Sequence, residues 1–144
     1  MMHQLLEPNS PRVSYDIRRE LVGMELMRKA SLSDGSWGVE LNYGLIGSPD
    51  WWLAIESGRL KLETFVGTVR MVDGGMMGDT LMVHIEGTDE AQKWVAWRGF
   101  EPKLNGKKVC TSYVHMLPKQ PLAFRPDFLI PVLLQVEFGA FLNQ

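Results

Sequence analysis

Five polar or aromatic side chains lie in segments whose alternating pattern is typical of strands: Arg70, His84, Trp97, Arg98 and Tyr113. Aromatic rings stack on bases and sugars, and arginine and histidine donate hydrogen bonds to polar or anionic groups. If the strands that carry them are neighbours, these side chains form one binding surface. We therefore take them as candidate binding residues, subject to a strand order that the sequence does not supply.

A glycine-rich connection, Asp73 to Asp79, joins two predicted strands between Glu63 and Gly87. It lacks the Lys-Ser/Thr pair of a phosphate-binding loop and does not lead into a helix, so we interpret it as a hairpin loop. Met76 and Met77 at its tip are flexible apolar side chains that suit an adaptable contact with a protein partner or a second copy. The test is the double variant Met76→Ser and Met77→Ser. If its oligomer mass and its capture of a partner are unchanged, that contact is refuted.

Residues that bind metals or act as nucleophiles are sparse. The histidines are His3, His84 and His115, and no nearby Cys, His or Asp completes the ligand set that zinc needs. The single cysteine, Cys110, lies in a strand-like run without an activating neighbour, which predicts a buried and inert thiol. No G-x-S-x-G sequence occurs. We therefore predict no metal and no cofactor, and we lean towards a protein that is not an enzyme.

The elements that must position these residues are mainly strands. Alternation predicts strands at Trp37–Tyr43, Leu60–Val72, Leu81–Glu86, Trp94–Arg98, Lys107–Met116 and Val132–Phe138. Their short connections are typical of a meander or a small barrel, and closure would hide the strand edges. The predicted fold is mainly β, with α+β also open: a small antiparallel barrel or a strongly bent sheet of about six strands.

Two segments carry helix signals. Ser48 can cap a helix, Pro49 suits its first position and Gly58 supplies a stop, which predicts a short helix over about 49–57. Residues 13–33 consist mostly of good helix formers, but their apolar positions alternate as in a strand. We favour an N-terminal helix there and leave the strand alternative open.

Length and composition bound the organisation of the chain. Its 144 residues suit one domain, 1–144, with an extended arm at 1–12 and a proline-rich loop at 117–127. A hydrophobic content of 45% and a charged content of 22% argue against disorder. The net charge of −2 gives no excess of cations for phosphates, which argues against nucleic acid as a partner.

The sequence also bears on location and function. One cysteine fits a reducing compartment, and no signal peptide or membrane-spanning run is evident, so we expect a cytoplasmic protein without a membrane partner. The first hypothesis is a non-enzymatic module that binds a protein partner or, as a homo-oligomer, itself. The second is a small barrel that binds a ligand or nucleic acid through Trp97, Arg98 and Tyr113. The third is an enzyme whose site is assembled from scattered residues.

Overall fold

The computed structural model describes residues 5–34, 38–72, 81–97, 99–120 and 123–139. Its helices and strands are β1 (Val13–Asp16), α1 (Leu21–Leu32), α2 (Pro49–Glu56), β2 (Glu63–Val72), β3 (Met82–Glu86), β4 (Ala91–Val95), β5 (Lys108–Met116) and β6 (Ile130–Phe138). Short 3-10 turns occur at Ile17–Arg19 and Pro102–Leu104. Within these ranges, no helix combines the length and apolarity needed to cross a bilayer.

The strands form one six-stranded antiparallel sheet in the order β1-β6-β5-β2-β3-β4. This confirms the predicted mainly-β fold with a short helix. The sheet is open, with β1 and β4 at its edges, so the barrel alternative is wrong. Closure would need β1 to pair with β4, yet β1 has only four residues and its register with β6 is interrupted between Val13 and Tyr15. A short, irregular strand is a common way to end a sheet.

The part of the sheet from β5 to β4 is strongly curved. The hydroxyl of Thr111 on β5 donates a hydrogen bond to Oε1 of Gln92 on β4 at 2.8 Å. Two strands, β2 and β3, lie between them in the sheet order. In a flat sheet with strands about 4.8 Å apart, β4 and β5 would be separated by about 14 Å, too far for this bond. The concave side therefore closes on itself through polar side chains.

The chain divides into two compact units. The first comprises Met1–Asp16, Thr64–Ser112 and Gln135–Gln144, and the second comprises Ile17–Glu63 and Tyr113–Leu134. The single domain, the extended arm at 1–12 and the proline-rich loop at 117–127 stay predictions.

The first unit buries alternate residues of its strands together with a satisfied polar group. Val69, Val83 and Ile85 are fully buried on one side of β2 and β3. Gln135 is also fully buried, and its amide donates to the Leu6 carbonyl at 2.9 Å and to the Asp16 carboxylate at 2.8 Å. Its own carbonyl oxygen accepts from the Leu6 N–H at 3.0 Å. Because buried polar groups cost stability unless they are paired, this arrangement fixes the segment before β1.

The second unit is built around α2, and the predicted helix at 49–57 is confirmed. The Ser48 hydroxyl accepts a hydrogen bond from the Trp51 N–H at 3.3 Å, and Pro49 occupies the first turn. Trp51 is fully buried and its indole N–H points at the Met116 sulfur, 3.4 Å away. The helix is therefore held by its cap and by one large aromatic side chain.

Three sequence predictions need correction. The strand at Trp37–Tyr43 is wrong for residues 38–43, which form only isolated bridges such as Val39 with Pro118. Val39 is buried and its N–H donates to the Ser31 hydroxyl at 3.1 Å, but Leu41 is exposed, so the alternating apolar residues do not share one buried face. Gly38 has a φ of 115°, which the strand region excludes.

The other two corrections concern bounds. The strand placed at Trp94–Arg98 is Ala91–Val95 instead: it begins earlier because the Gly87 N–H donates to the Glu90 carbonyl at 2.8 Å and closes a tight turn, and it ends before Trp97. Arg98 lies outside the described residues. Residues 13–33 hold the favoured helix as α1, but also the strand β1, whose four residues are too few for alternation to reveal.

Candidate interaction surfaces

The outer face of β2, β3 and β4 consists of the residues that alternate with the buried ones. Residues directly opposite one another in an antiparallel pair share a face of the sheet. We call the following residues the outer face: Val66, Thr68, Arg70, Met82, His84, Glu86, Ala91, Lys93 and Val95.

A basic row crosses this face. Arg70 is opposite His84 in the β2–β3 pair, and His84 is opposite Lys93 in the β3–β4 pair, so the three side chains form one line across three strands. The Arg70 guanidinium lies 3.5 Å from the Glu86 carboxylate, and both side chains are more than half exposed. In the described ranges, no carboxylate lies within ion-pair distance of His84 or Lys93. Arg70 and Lys93, both exposed, therefore present positive charge to solvent at the two ends of the row.

The surroundings of the basic row differ on each side. Towards one end of the strands, Met82 is opposite Val95, an exposed apolar residue. Towards the other end lies the β3–β4 turn with exposed Asp89 and Glu90. On the β5 side, the Lys107 carbonyl accepts from the Val69 N–H at 2.9 Å, which places another exposed lysine beside β2. The outer face thus combines apolar, basic and acidic bands.

Helix α1 forms the second surface. Four of its large apolar side chains have exposed fractions from 63% to 75%: Leu21, Val22, Leu26 and Leu32. Soluble helices usually turn such residues towards a core. Val22 and Leu26 are four residues apart and so are neighbours on the helix surface. We call these four residues the α1 apolar face.

Polar contacts explain why α1 keeps its leucines outside. The Arg28 guanidinium donates to the Ile46 carbonyl at 2.9 Å, and the Lys119 ammonium donates to the carbonyls of Ala30 and Ser33, each at 2.7 Å. Lysine at a helix C-terminus satisfies free carbonyls and complements the helix dipole. Met24 is the large apolar side chain that α1 buries, and a Cβ at Gly47 would come within 2.6 Å of its methyl group.

A histidine–carboxylate pair lies in the second unit. Nδ1 of His115 is 2.5 Å from Oε2 of Glu63, and the ring of Tyr113 meets the imidazole edge-on with centroids 5.5 Å apart. Such a contact holds the imidazole through one nitrogen and leaves the other for a partner. No group of three or more metal-ligating residues occurs among the described residues. The pair spans 52 residues of sequence, so no local pattern signals it.

Cys110 is a buried free thiol, as predicted. Burial, and secondly the nearby Glu137 carboxylate, raise its pKa to about 11 from an ordinary 9.0. Since the thiolate is the reactive form, this cysteine is a poor nucleophile at neutral pH.

The structure separates the candidate residues named from sequence. It brings together Arg70 and His84 in the basic row. Trp97 is buried, and its indole N–H donates to the Ser14 hydroxyl at 2.8 Å. Tyr113 is half-buried on β5 in the second unit. The binding roles of these residues stay predictions.

Arg98, Met76 and Met77 lie outside the described residues. The sequence analysis missed two features: Lys93, whose place beside His84 depends on strand register, and the α1 apolar face, whose apolar residues were visible but unassigned.

Comparison with known protein families identifies the family to which this chain belongs. The family of Immunity protein RhsI2 matches residues 12–93, more than half of the chain. The matched segment contains β1, α1, α2, β2, β3 and part of β4, and so includes both the α1 apolar face and the basic row. A search of curated proteins finds no match. The chain therefore belongs to the family of Immunity protein RhsI2, and this membership indicates a role in protein interaction.

Proposed function

We propose that this chain is an immunity protein that binds a toxin and blocks its action, without catalysing a reaction. The family match over residues 12–93 supports the class of function, because the name of that family is Immunity protein RhsI2. The observation that carries the proposal in this molecule is the α1 apolar face, since it is an unpartnered apolar surface inside the matched segment.

The α1 apolar face has the properties of a contact surface. Fully burying one leucine side chain is worth about 1.5–3 kcal/mol, so the exposed residues hold unused binding free energy. A helix that presents apolar residues about one turn apart fits a hydrophobic groove on a partner. The polar contacts of Arg28 and Lys119 fix the helix in advance, which reduces the ordering that binding requires. We therefore propose that this face binds in an apolar groove of the toxin.

Self-association is a second candidate use of the same face. Glu25 and Lys29 are exposed on α1 and lie one turn apart. A two-fold axis near Met27 would pair Glu25 of one copy with Lys29 of the other, and Val22 with Leu32. Light scattering over a range of concentrations tests this: growth in mass that Leu26→Glu abolishes supports it, and a constant monomer mass refutes it.

The proposed site of action is the cytoplasm, since a single buried free thiol suits a reducing compartment. Fractionation of cells that produce the native chain tests this location, and recovery outside the cytoplasmic fraction would contradict it.

The decisive experiment for toxin binding is co-expression. Candidate toxins from the genome that encodes this chain are expressed with it, and growth is measured; rescue is followed by pull-down of the toxin with the purified chain. We expect rescue and a stable complex, both lost in Leu26→Glu. The matched control is Leu53→Glu on α2, a leucine that is 55% exposed in the same unit. Rescue without physical association would contradict the proposal.

A further inference from the structure

We infer that the basic row of Arg70, His84 and Lys93 is an electrostatic docking surface for a protein that carries a row of carboxylates. This inference rests on the proposed function in one respect: it takes the toxin as the protein that carries the carboxylates. Charge complementarity is the basis of the assignment, because two of the three side chains in the row have no carboxylate partner in the described ranges.

The spacing of the row defines the partner. Adjacent strands lie about 4.8 Å apart, so the Arg70 and Lys93 backbones are separated by about 10 Å, with His84 between them. Carboxylates at positions i, i+3 or i+4, and i+7 of a helix recur at about 5–6 Å. An acidic helix laid across β2, β3 and β4 therefore places one carboxylate near each member of the row.

The sheet itself neutralises little of the positive charge in the row. Arg70 and Lys93 flank His84 on one line, each on a strand next to the one that carries His84. Glu86 offsets only the Arg70 end, through an exposed contact of 3.5 Å. Exposed ion pairs contribute little to stability. A glutamate at position 84 would give both cations a carboxylate neighbour; with histidine there, an acidic partner can supply the carboxylates instead.

The remainder of the outer face argues for a protein and against nucleic acid. Asp89 and Glu90 are exposed in the turn beyond Glu86 and would repel a phosphate backbone. Val95 on the opposite side offers apolar contact area that a phosphate backbone does not use. A protein surface can match acidic, basic and apolar bands together.

The first test uses the toxin that the chain neutralises. Its Kd and association rate are measured by biolayer interferometry at 50 and 500 mM NaCl for the native chain, Lys93→Glu, and the matched charge reversal Lys61→Glu in an exposed loop. We expect Lys93→Glu to slow association about ten-fold at low salt and Lys61→Glu to change it less than two-fold, with the difference vanishing at high salt. Equal effects of the two reversals would overturn the inference.

His84→Glu separates docking from folding. A carboxylate between Arg70 and Lys93 adds favourable cross-strand pairs, so the urea midpoint should rise while toxin association slows about ten-fold. If the row has only a structural role, the urea midpoint of this variant should rise while its rate of association with the toxin stays unchanged. Lys93→Gln gives the same comparison without a new charge.

A toxin-independent arm keeps failure of the inference distinct from failure of the proposed function. Amide chemical shifts are followed while a helical peptide with glutamates at i, i+4 and i+7 is added, then its glutamine counterpart. We expect shifts at the basic row with the glutamate peptide alone. Shifts elsewhere, or equal shifts with both peptides, would overturn the inference, and so would tight binding of a duplex oligonucleotide that Lys93→Glu abolishes. If no toxin complex forms but the glutamate peptide shifts the amide signals of the basic row, only the identification of the partner as a toxin is refuted.

Discussion

Two exposed surfaces, the outer face of β2, β3 and β4 and the α1 apolar face, are held in place differently. Backbone pairing positions the first, and charged side chains position the second. On the sheet, backbone register aligns Arg70, His84 and Lys93, and the side chains contribute charge. On the helix, charged residues such as Lys119 make the anchoring contacts, and the surface contributes apolar area. Charge mainly sets association rate and selectivity, whereas buried apolar area supplies affinity. The comparison assigns different tasks to the two surfaces.

The largest effect should come from breaking the α1 apolar face. Leu26→Glu places a charge on the face that we propose contacts an apolar groove, so toxin affinity should fall about 100-fold or more. The free energy of unfolding should change by less than about 0.5 kcal/mol, because the side chain is exposed. Titration calorimetry and urea unfolding measure the two quantities. If Leu53→Glu weakens binding as much, α1 is not the distinctive contact.

Removing the anchor of α1 tests whether the helix must be fixed in place. Lys119→Met loses ammonium bonds to the Ala30 and Ser33 carbonyls, and we expect a loss of about 1–2 kcal/mol in unfolding free energy. Toxin dissociation should become faster while its salt dependence stays unchanged, since the basic row is intact. Lys61→Met is the control for loss of an exposed lysine. A variant as stable as the native chain would remove the anchoring argument.

Gly23 gives a smaller and opposite effect. It lies within α1, and no atom outside its own chain neighbours and helix backbone comes within 4 Å of the position that a Cβ would occupy. Gly23→Ala should raise the unfolding free energy by about 0.5–1 kcal/mol, because glycine lowers helix stability. Thermal unfolding measures the gain. Loss of toxin affinity in this variant would extend the contact surface across the helix to Gly23.

The smallest effect belongs to neither surface and gives a baseline. Burial and the Glu137 carboxylate raise the Cys110 pKa to about 11, so the unfolded chain loses this proton first as pH rises above 9.0. Stability from this thiol is complete below pH 9 and declines between about pH 9 and 11. Cys110→Ala should flatten the decline in unfolding free energy over that window, with toxin binding at neutral pH unchanged. An unaltered slope would contradict the shift.

Local chemistry explains what the sequence could predict. Ser48 and Pro49 define the start of α2 because capping depends on adjacent residues. Alternation marks β2 and β3 because one side of each strand is buried. The same argument failed at Trp37–Tyr43, where Val39 is buried but forms only an isolated bridge with Pro118, and Leu41 is exposed.

The candidate surfaces were less accessible from sequence. Arg70 and His84 were named, but their alignment with Lys93 depends on a register that only strand pairing defines. The α1 apolar face contradicts the usual rule that leucines are buried, so its residues look like core residues until their exposure is measured. The contact of His115 with Glu63 joins distant segments and has no local signature.

The three hydrogen bonds of Gln135 have a consequence for the order of events during synthesis. Two of them join Gln135 to Leu6, which precedes it by 129 residues. During translation at about 5–20 residues per second, Leu6 must wait on the order of ten seconds before its partner has been made. The backbone before β1 therefore lacks these bonds, and is open to solvent and to proteases, until Gln135 has been added. The native arrangement of this segment is completed only after Gln135 has been made.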